Sequence, residues 1–123
     1  NKVSEIMIKE LVCCTPLTKI EESRRIMRKY ECSKIPVVNS FKDRRIIGAV
    51  ALEDLLKKKK VIQCMSKNLK AVEEDSTIDE CLRVMIMNNM EQVPVIDKQG
   101  HFCGIVTEQR ILMMGKSPSD DAL

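Results

Sequence analysis

The chain has 123 residues, of which 44% are hydrophobic and 32% charged, and a formal net charge of +3. That balance fits a globular chain forming one compact domain or two small units that share a core, and it excludes a disordered polymer. No run approaches the roughly twenty apolar residues of a membrane span, and one Tyr, two Phe and no Trp leave little for base stacking.

The opening NKVSEIMIKEL lacks the apolar stretch and cleavage site of a signal peptide, so a cytosolic location is expected. From Val3, VSEIMIKEL reads as a short helical lead-in, and LVCCT as a brief extended piece in which one of Cys13 and Cys14 faces the core and the other a cleft. Thr18 and Glu21 have the hydroxyl-to-carboxylate spacing of a capping box and open a helix. Ile20, Met27 and Tyr30 mark its buried face. IPVVN is β-branched and led by proline, which suits the start of a strand; RRIIGAVA supplies a second strand after a turn. LEDLLKKKK is then a helix whose lysines suit the negative end of its dipole.

The same succession then recurs. Val3, Met7, Lys9, Leu11, Ile20, Glu22, Arg25, Met27, Pro36 and Val37 align without a gap on identical residues at Val61, Met65, Lys67, Leu69, Ile78, Glu80, Arg83, Met85, Pro94 and Val95. The second copy is shorter only in the turn that follows, after which Gly48, Val50 and Leu56 meet Gly104, Val106 and Leu112. VIQCMSKNL is its lead-in and LKAVE its extended piece. Ser76 and Asp79 form its expected capping box, and Ile78, Cys81, Leu82 and Met85 its buried helical face. VPVID and HFCGIVT are its paired strands, EQRILMM its last helix, and GKSPSDDAL a mobile tail. Strand, helix, strand, strand, helix is thus written twice, and one unit alone would leave a sheet face uncovered.

The six cysteines show no Cys-x-x-Cys pair and are read as reduced, small hydrophobes. With a single histidine, His101, in a solvent-facing turn, neither a metal site nor a cysteine nucleophile with its base is expected, and no catalytic residue is assigned.

The proline-led strands SKIPVVN and EQVPVID and the glycine-led strands entering helices, GAVALEDLL and GIVTEQRIL, resemble a tandem pair of CBS domains, the Bateman module. The resemblance implies an α/β, α+β-like fold of two β-α-β-β-α repeats packed with pseudo-twofold symmetry, here 1–60 and 61–114, with 115–123 as tail. It also implies a regulatory module and not an enzyme, with no obligatory cofactor. Such a module senses AMP, ADP, ATP or S-adenosylmethionine in clefts between the repeats and controls an attached or associated effector. A ligand-free dimerisation or docking scaffold is the alternative. Nucleic acid is not an expected partner.

In ligand-binding members the strand-to-helix junction carries Thr or Ser followed by Asp, which place a hydroxyl at a helix start for phosphate and an acid for ribose. Here the pair is split: repeat one has Ala51 with Asp54, repeat two Thr107 with Arg110. The resemblance assigns one cleft to Cys13, Cys14, Thr15, Val93, Pro94 and Thr107, and the other to Ile35, Pro36, Asp54, Lys70, Ala71 and Val72. Arg110 either pairs with a protein carboxylate, is solvated, or meets a ligand anion.

The first helices of the two repeats also differ. Arg28 and Lys29 in repeat one become Ile86 and Met87 in repeat two, and with Val84 and Met90 they make that helix apolar around more of its circumference than half-burial requires. Either the face is buried more deeply within the pair or it is a homodimer surface.

Overall fold

A computed structural model describes residues 1–56, 60–67 and 69–115; the lysines at 57–59 and, of the expected tail 115–123, residues 116–123 lie outside the described residues, while Gly115 belongs to the last helix. Repeat one contains α1 (Ile20–Lys29), β1 (Lys34–Val38), β2 (Ile46–Ala51) and α2 (Leu52–Leu55). Repeat two contains β3 (Val72–Glu73), α3 (Ile78–Met87), β4 (Gln92–Ile96), β5 (Phe102–Thr107) and α4 (Glu108–Gly115). The lead-ins are single 3-10 turns at Val3–Glu5 and Val61–Gln63. β1 and β2 pair antiparallel; β4 pairs antiparallel with β5 and parallel with β3. A register shift interrupts both hairpins at the same repeat position, Val37/Val38 and Val95/Ile96.

Repeat one lacks the full first strand that the pattern predicts. Its extended piece makes one parallel bridge, Cys14 to Val37, through Cys14 N–H to Pro36 O and Val38 N–H to Cys14 O. The ladder stops there because the next residue whose N–H would face β1 is Pro16, which has none, while Thr15 N–H turns into a local bond with Thr18 Oγ1 at 2.9 Å. The first helices also begin one residue later than the expected capping boxes. In α3 the cap is Thr77 with Glu80, and in α1 the equivalent position is Lys19, whose side chain caps nothing.

Both helices end alike. Cys32 N–H donates to Met27 O and Met90 N–H to Met85 O, each at 2.8 Å, across a left-handed residue, Glu31 (φ 54) or Asn89 (φ 52). This is the Schellman closure, which satisfies carbonyls that the helix end would leave unpaired.

The repeats exchange their lead-ins. Ile8 bridges Ile105 while Ser66 bridges Ala49, and Lys2 bridges Thr77 while Lys60 bridges Lys19, so each contact is the image of the other under the repeat. The crossing chain runs so close to the second strand that a Cβ on Gly48 would sit 2.6 Å from the Ser66 carbonyl oxygen, and one on Gly104 2.5 Å from that of Ile8. Only glycine fits there, which accounts for its recurrence in both copies.

The core follows the exchange. Val61 and Ile105 join the repeat-one cluster around Met27, Ile35, Val50 and Leu55, and Val3 and Ile6 join the repeat-two cluster around Met85, Val93 and Val106. Cys13, Val38 and Phe102 form a third group. Neither repeat closes its core alone.

Candidate functional site between the repeats

Two residues that are each other's repeat equivalents can touch only on the pseudo-twofold axis. Gln92 Nε2 donates to the Lys34 carbonyl at 3.2 Å across a separation of 58 residues, which is the repeat offset, and so marks that axis. Around it lies a cavity of about 400 Å3 between the repeats. Ser33, Lys34, Ile35 and Pro36 line it from the start of β1; Leu69 and Lys70 from the chain before β3; Asn88, Asn89, Met90, Glu91 and Gln92 from the α3–β4 turn; Pro94 and Ile105 from the sheet of repeat two. The lining mixes apolar side chains with a larger share of polar surface, a combination that suits a flat heterocycle carrying polar substituents.

The candidate residues fall into distinct places. Ile35, Pro36, Lys70 and Pro94 line this one cavity. Val72 and Val93 are buried in the repeat-two core, and half-buried Ala71 lies between Lys70 and Val72 without lining the cavity. Cys13 and Cys14 are both fully buried, one in the third cluster and one in the repeat-one core, so neither faces a cleft. The alternation of a strand does send them to opposite faces, but both faces are covered. Burial pushes the Cys13 thiol up to about 11 and the Cys14 thiol up to about 12, which keeps them protonated. Thr15 is engaged locally, its Oγ1 3.0 Å from Thr18 Oγ1.

The junction residues lie outside the cavity lining. Asp54 is exposed on the short α2. Thr107 Oγ1 accepts the Arg110 N–H at 3.2 Å and so caps α4. The Arg110 side chain is exposed and, among the described residues, has no carboxylate within ion-pair distance.

Sequence reasoning missed Ser33, Lys34, Leu69 and Ile105 of the lining and the whole of the α3–β4 turn. A left-handed Asn after a helix is a readable stop signal, but nothing in an Asn-Asn pair announces a binding wall. At the opposite side His101 is not solvent-facing but half-buried, with Nδ1 3.1 Å from Asp97 Oδ2 and Nε2 3.5 Å from Asp43 Oδ1 of the other repeat. Backbone N–H groups of His101 and Gln99 hold the Asp97 carboxyl below its usual range. A shallower depression lies at Glu73, Glu74, Asp75 and Asp97. Among the described residues no three His, Cys, Asp or Glu are grouped to hold a metal ion, and no helix is long and apolar enough to cross a membrane.

On α3, Ile86 is 70% and Met87 78% exposed, while Val84 and Met90 pack partly against the repeat-two core. The helix is therefore not buried all round.

The chain is similar to inosine-5'-monophosphate dehydrogenase of Methanocaldococcus jannaschii, 31% identical over 124 residues covering 96% of this chain and 24% of that enzyme. It is similar to the Aquifex aeolicus dehydrogenase too, 33% identical over 120 residues, again spanning about a quarter of the relative's length. Among solved structures, the CBS domain pair of protein MJ0100 in complex with 5'-methylthioadenosine and S-adenosyl-L-methionine superposes with a TM-score of 0.77 at 27% identity, over 95% of this chain and 98% of that one. The cytosolic domain of the Mg2+ channel MgtE in complex with ATP gives a TM-score of 0.76 at 26% identity, covering 93% of this chain and 48% of that one. The family model for the CBS domain matches residues 3–61 and 59–115, one match per repeat, and the chain accordingly belongs to the CBS domain family as a tandem pair.

Proposed function

We propose that this CBS pair is a regulatory module that senses an adenine nucleotide or related adenosyl ligand between its repeats and passes occupancy to an effector, attached or associated. The observation that carries this reading is the inter-repeat cavity of about 400 Å3, lined from both copies by Ile35, Pro36, Lys70 and Pro94. The adenosyl ligands named for the similar MJ0100 and MgtE structures support it. A ligand touching both repeats on their common axis favours one relative placement of the two, which is what a sensor needs. The repeats that share the ligand are repeat one, 1–60, and repeat two, 61–114, and the effector is reached from the cytoplasm.

A second reading, a ligand-free docking scaffold, draws on the positions of Asp54 and Thr107, neither of which lines the cavity. In both readings the exposed Ile86 and Met87 serve homodimerisation, with Val84 and Met90 behind them.

Isothermal titration of AMP, ADP, ATP and S-adenosylmethionine, with a thermal shift beside it, separates the two. Saturable binding near one ligand per chain with a rise in Tm is expected, since a ligand that prefers the folded state stabilises it. No binding at millimolar ligand leaves the scaffold.

A further inference from the structure

We infer that the cleft selects a phosphorylated ligand, and that Lys34 and Lys70 make the selection in place of the split junction residues, with Asn88 holding the nucleoside. This rests on the reading that an adenosyl ligand occupies the cavity, and it adds which chemical class is preferred and which side chains read it.

The junctions are poorly placed for the task. Neither Thr107, whose Oγ1 caps α4, nor the exposed Asp54 lines the cavity. The cavity supplies its own polar set. Lys34 and Lys70 bring two positive charges to its wall against one carboxylate, Glu91. Asn88 donates through Nδ2 to the Val84 carbonyl at 2.8 Å, which fixes the amide and leaves Oδ1 as an acceptor for a ribose hydroxyl or an exocyclic amine.

The set exists on one side of the axis only. The repeat-one equivalents of Lys70 and Asn88 are Val12 and Tyr30. Val12 is fully buried, and Tyr30 packs against the repeat-one core with Lys29 Nζ 5.4 Å from its ring centre. The lopsided lining gives one selective site per chain. A net positive wall favours a phosphate dianion, is indifferent to an uncharged nucleoside, and disfavours the sulfonium of S-adenosylmethionine.

The experiment compares AMP, adenosine and inorganic phosphate by titration calorimetry on the full chain at two salt concentrations. AMP is expected to bind about tenfold more tightly than adenosine, a difference that narrows as salt screens the lysines. Lys70→Gln removes most of the difference while adenosine affinity stays as it was. Asp54→Ala and Arg110→Ala leave the difference in place. Equal affinity for AMP and adenosine overturns the inference, as does loss of the difference in Asp54→Ala or Arg110→Ala instead of Lys70→Gln. Inorganic phosphate binding as tightly as AMP also overturns it, because the nucleoside would then contribute nothing. Failure of AMP, adenosine and S-adenosylmethionine all to bind defeats the adenosyl reading itself, a result distinct from the others.

Discussion

The hydroxyl of Thr77 accepts the Glu80 N–H at 3.1 Å, and the Glu80 carboxylate accepts the Thr77 N–H at 3.4 Å, so two donors that a helix start leaves orphaned are satisfied together. Ser76 and Asp79 have the same spacing one residue earlier, and residue types alone cannot choose between the two frames. The structure takes the later frame, with Cys81 and Met85, four residues apart, on the buried face of α3. In repeat one the same register puts Lys19 at the cap, and Thr18 closes a local turn with Thr15 instead. Thr77→Ala is therefore expected to destabilise the fold by about 1 kcal/mol, whereas Ser76→Ala changes it by less than about 0.5 kcal/mol, the usual range for a surface substitution. Urea unfolding of both variants followed by circular dichroism tests the pair. The reverse ranking would mean that the earlier frame holds in solution.

At the scale of elements, the exchanged lead-ins decide what each strand can tolerate. The hairpins were legible in the sequence because their β-branched, proline-led runs depend on local pattern alone. The glycines were legible as repeats but not as contacts, since the atoms they must avoid belong to the other copy: Ser66 O for Gly48, Ile8 O for Gly104. The site divides the same way. Ile35, Pro36, Lys70 and Pro94 carry family-like patterns, whereas Asn88 and Asn89 reach the cavity only because the closure of α3 turns the chain toward the axis. Gly104→Ala forces a Cβ against a backbone carbonyl that already accepts the Ile105 N–H at 2.9 Å, so the crossing segment must shift and lose the Ile8–Ile105 bridge. A loss of about 1–3 kcal/mol is expected, the range for overpacking a tight contact. Because the crossing segment ties the repeats together, amide exchange at Ile8 and Ile105 should rise together in this variant. Exchange confined to β5 would show that the lead-in does not depend on the crossing.

For the whole molecule, the outer faces of the first helices of the two repeats have opposite character. Arg28 and Lys29 are exposed on α1, while their equivalents Ile86 and Met87 are 70% and 78% exposed on α3. On α4, Leu112 and Met113 are 60% and 61% exposed, but Leu56, the repeat-one equivalent of Leu112, is 67% exposed as well, so the contrast rests on α1 and α3. Exposed apolar side chains grouped on one helix face are costly to leave in water, and methionine-rich faces adapt well to a partner. Two copies meeting through a twofold axis present the same patch to each other, so apolar faces apolar when repeat two packs on repeat two. The opposite arrangement would set the methionines of one chain against the arginine and lysine of the other. The twofold also doubles any change made at the contact: Met87→Glu introduces two carboxylates of one sign into one apolar interface, and Arg83, one turn away on the exposed side of α3, offsets them only in part. Light scattering of this variant is expected to give the mass of a monomer where the parent chain gives a dimer, while Arg28→Glu leaves the dimer intact because that face stays in water. A dimer that survives Met87→Glu but dissociates with Arg28→Glu would place the contact on repeat one and reverse the arrangement.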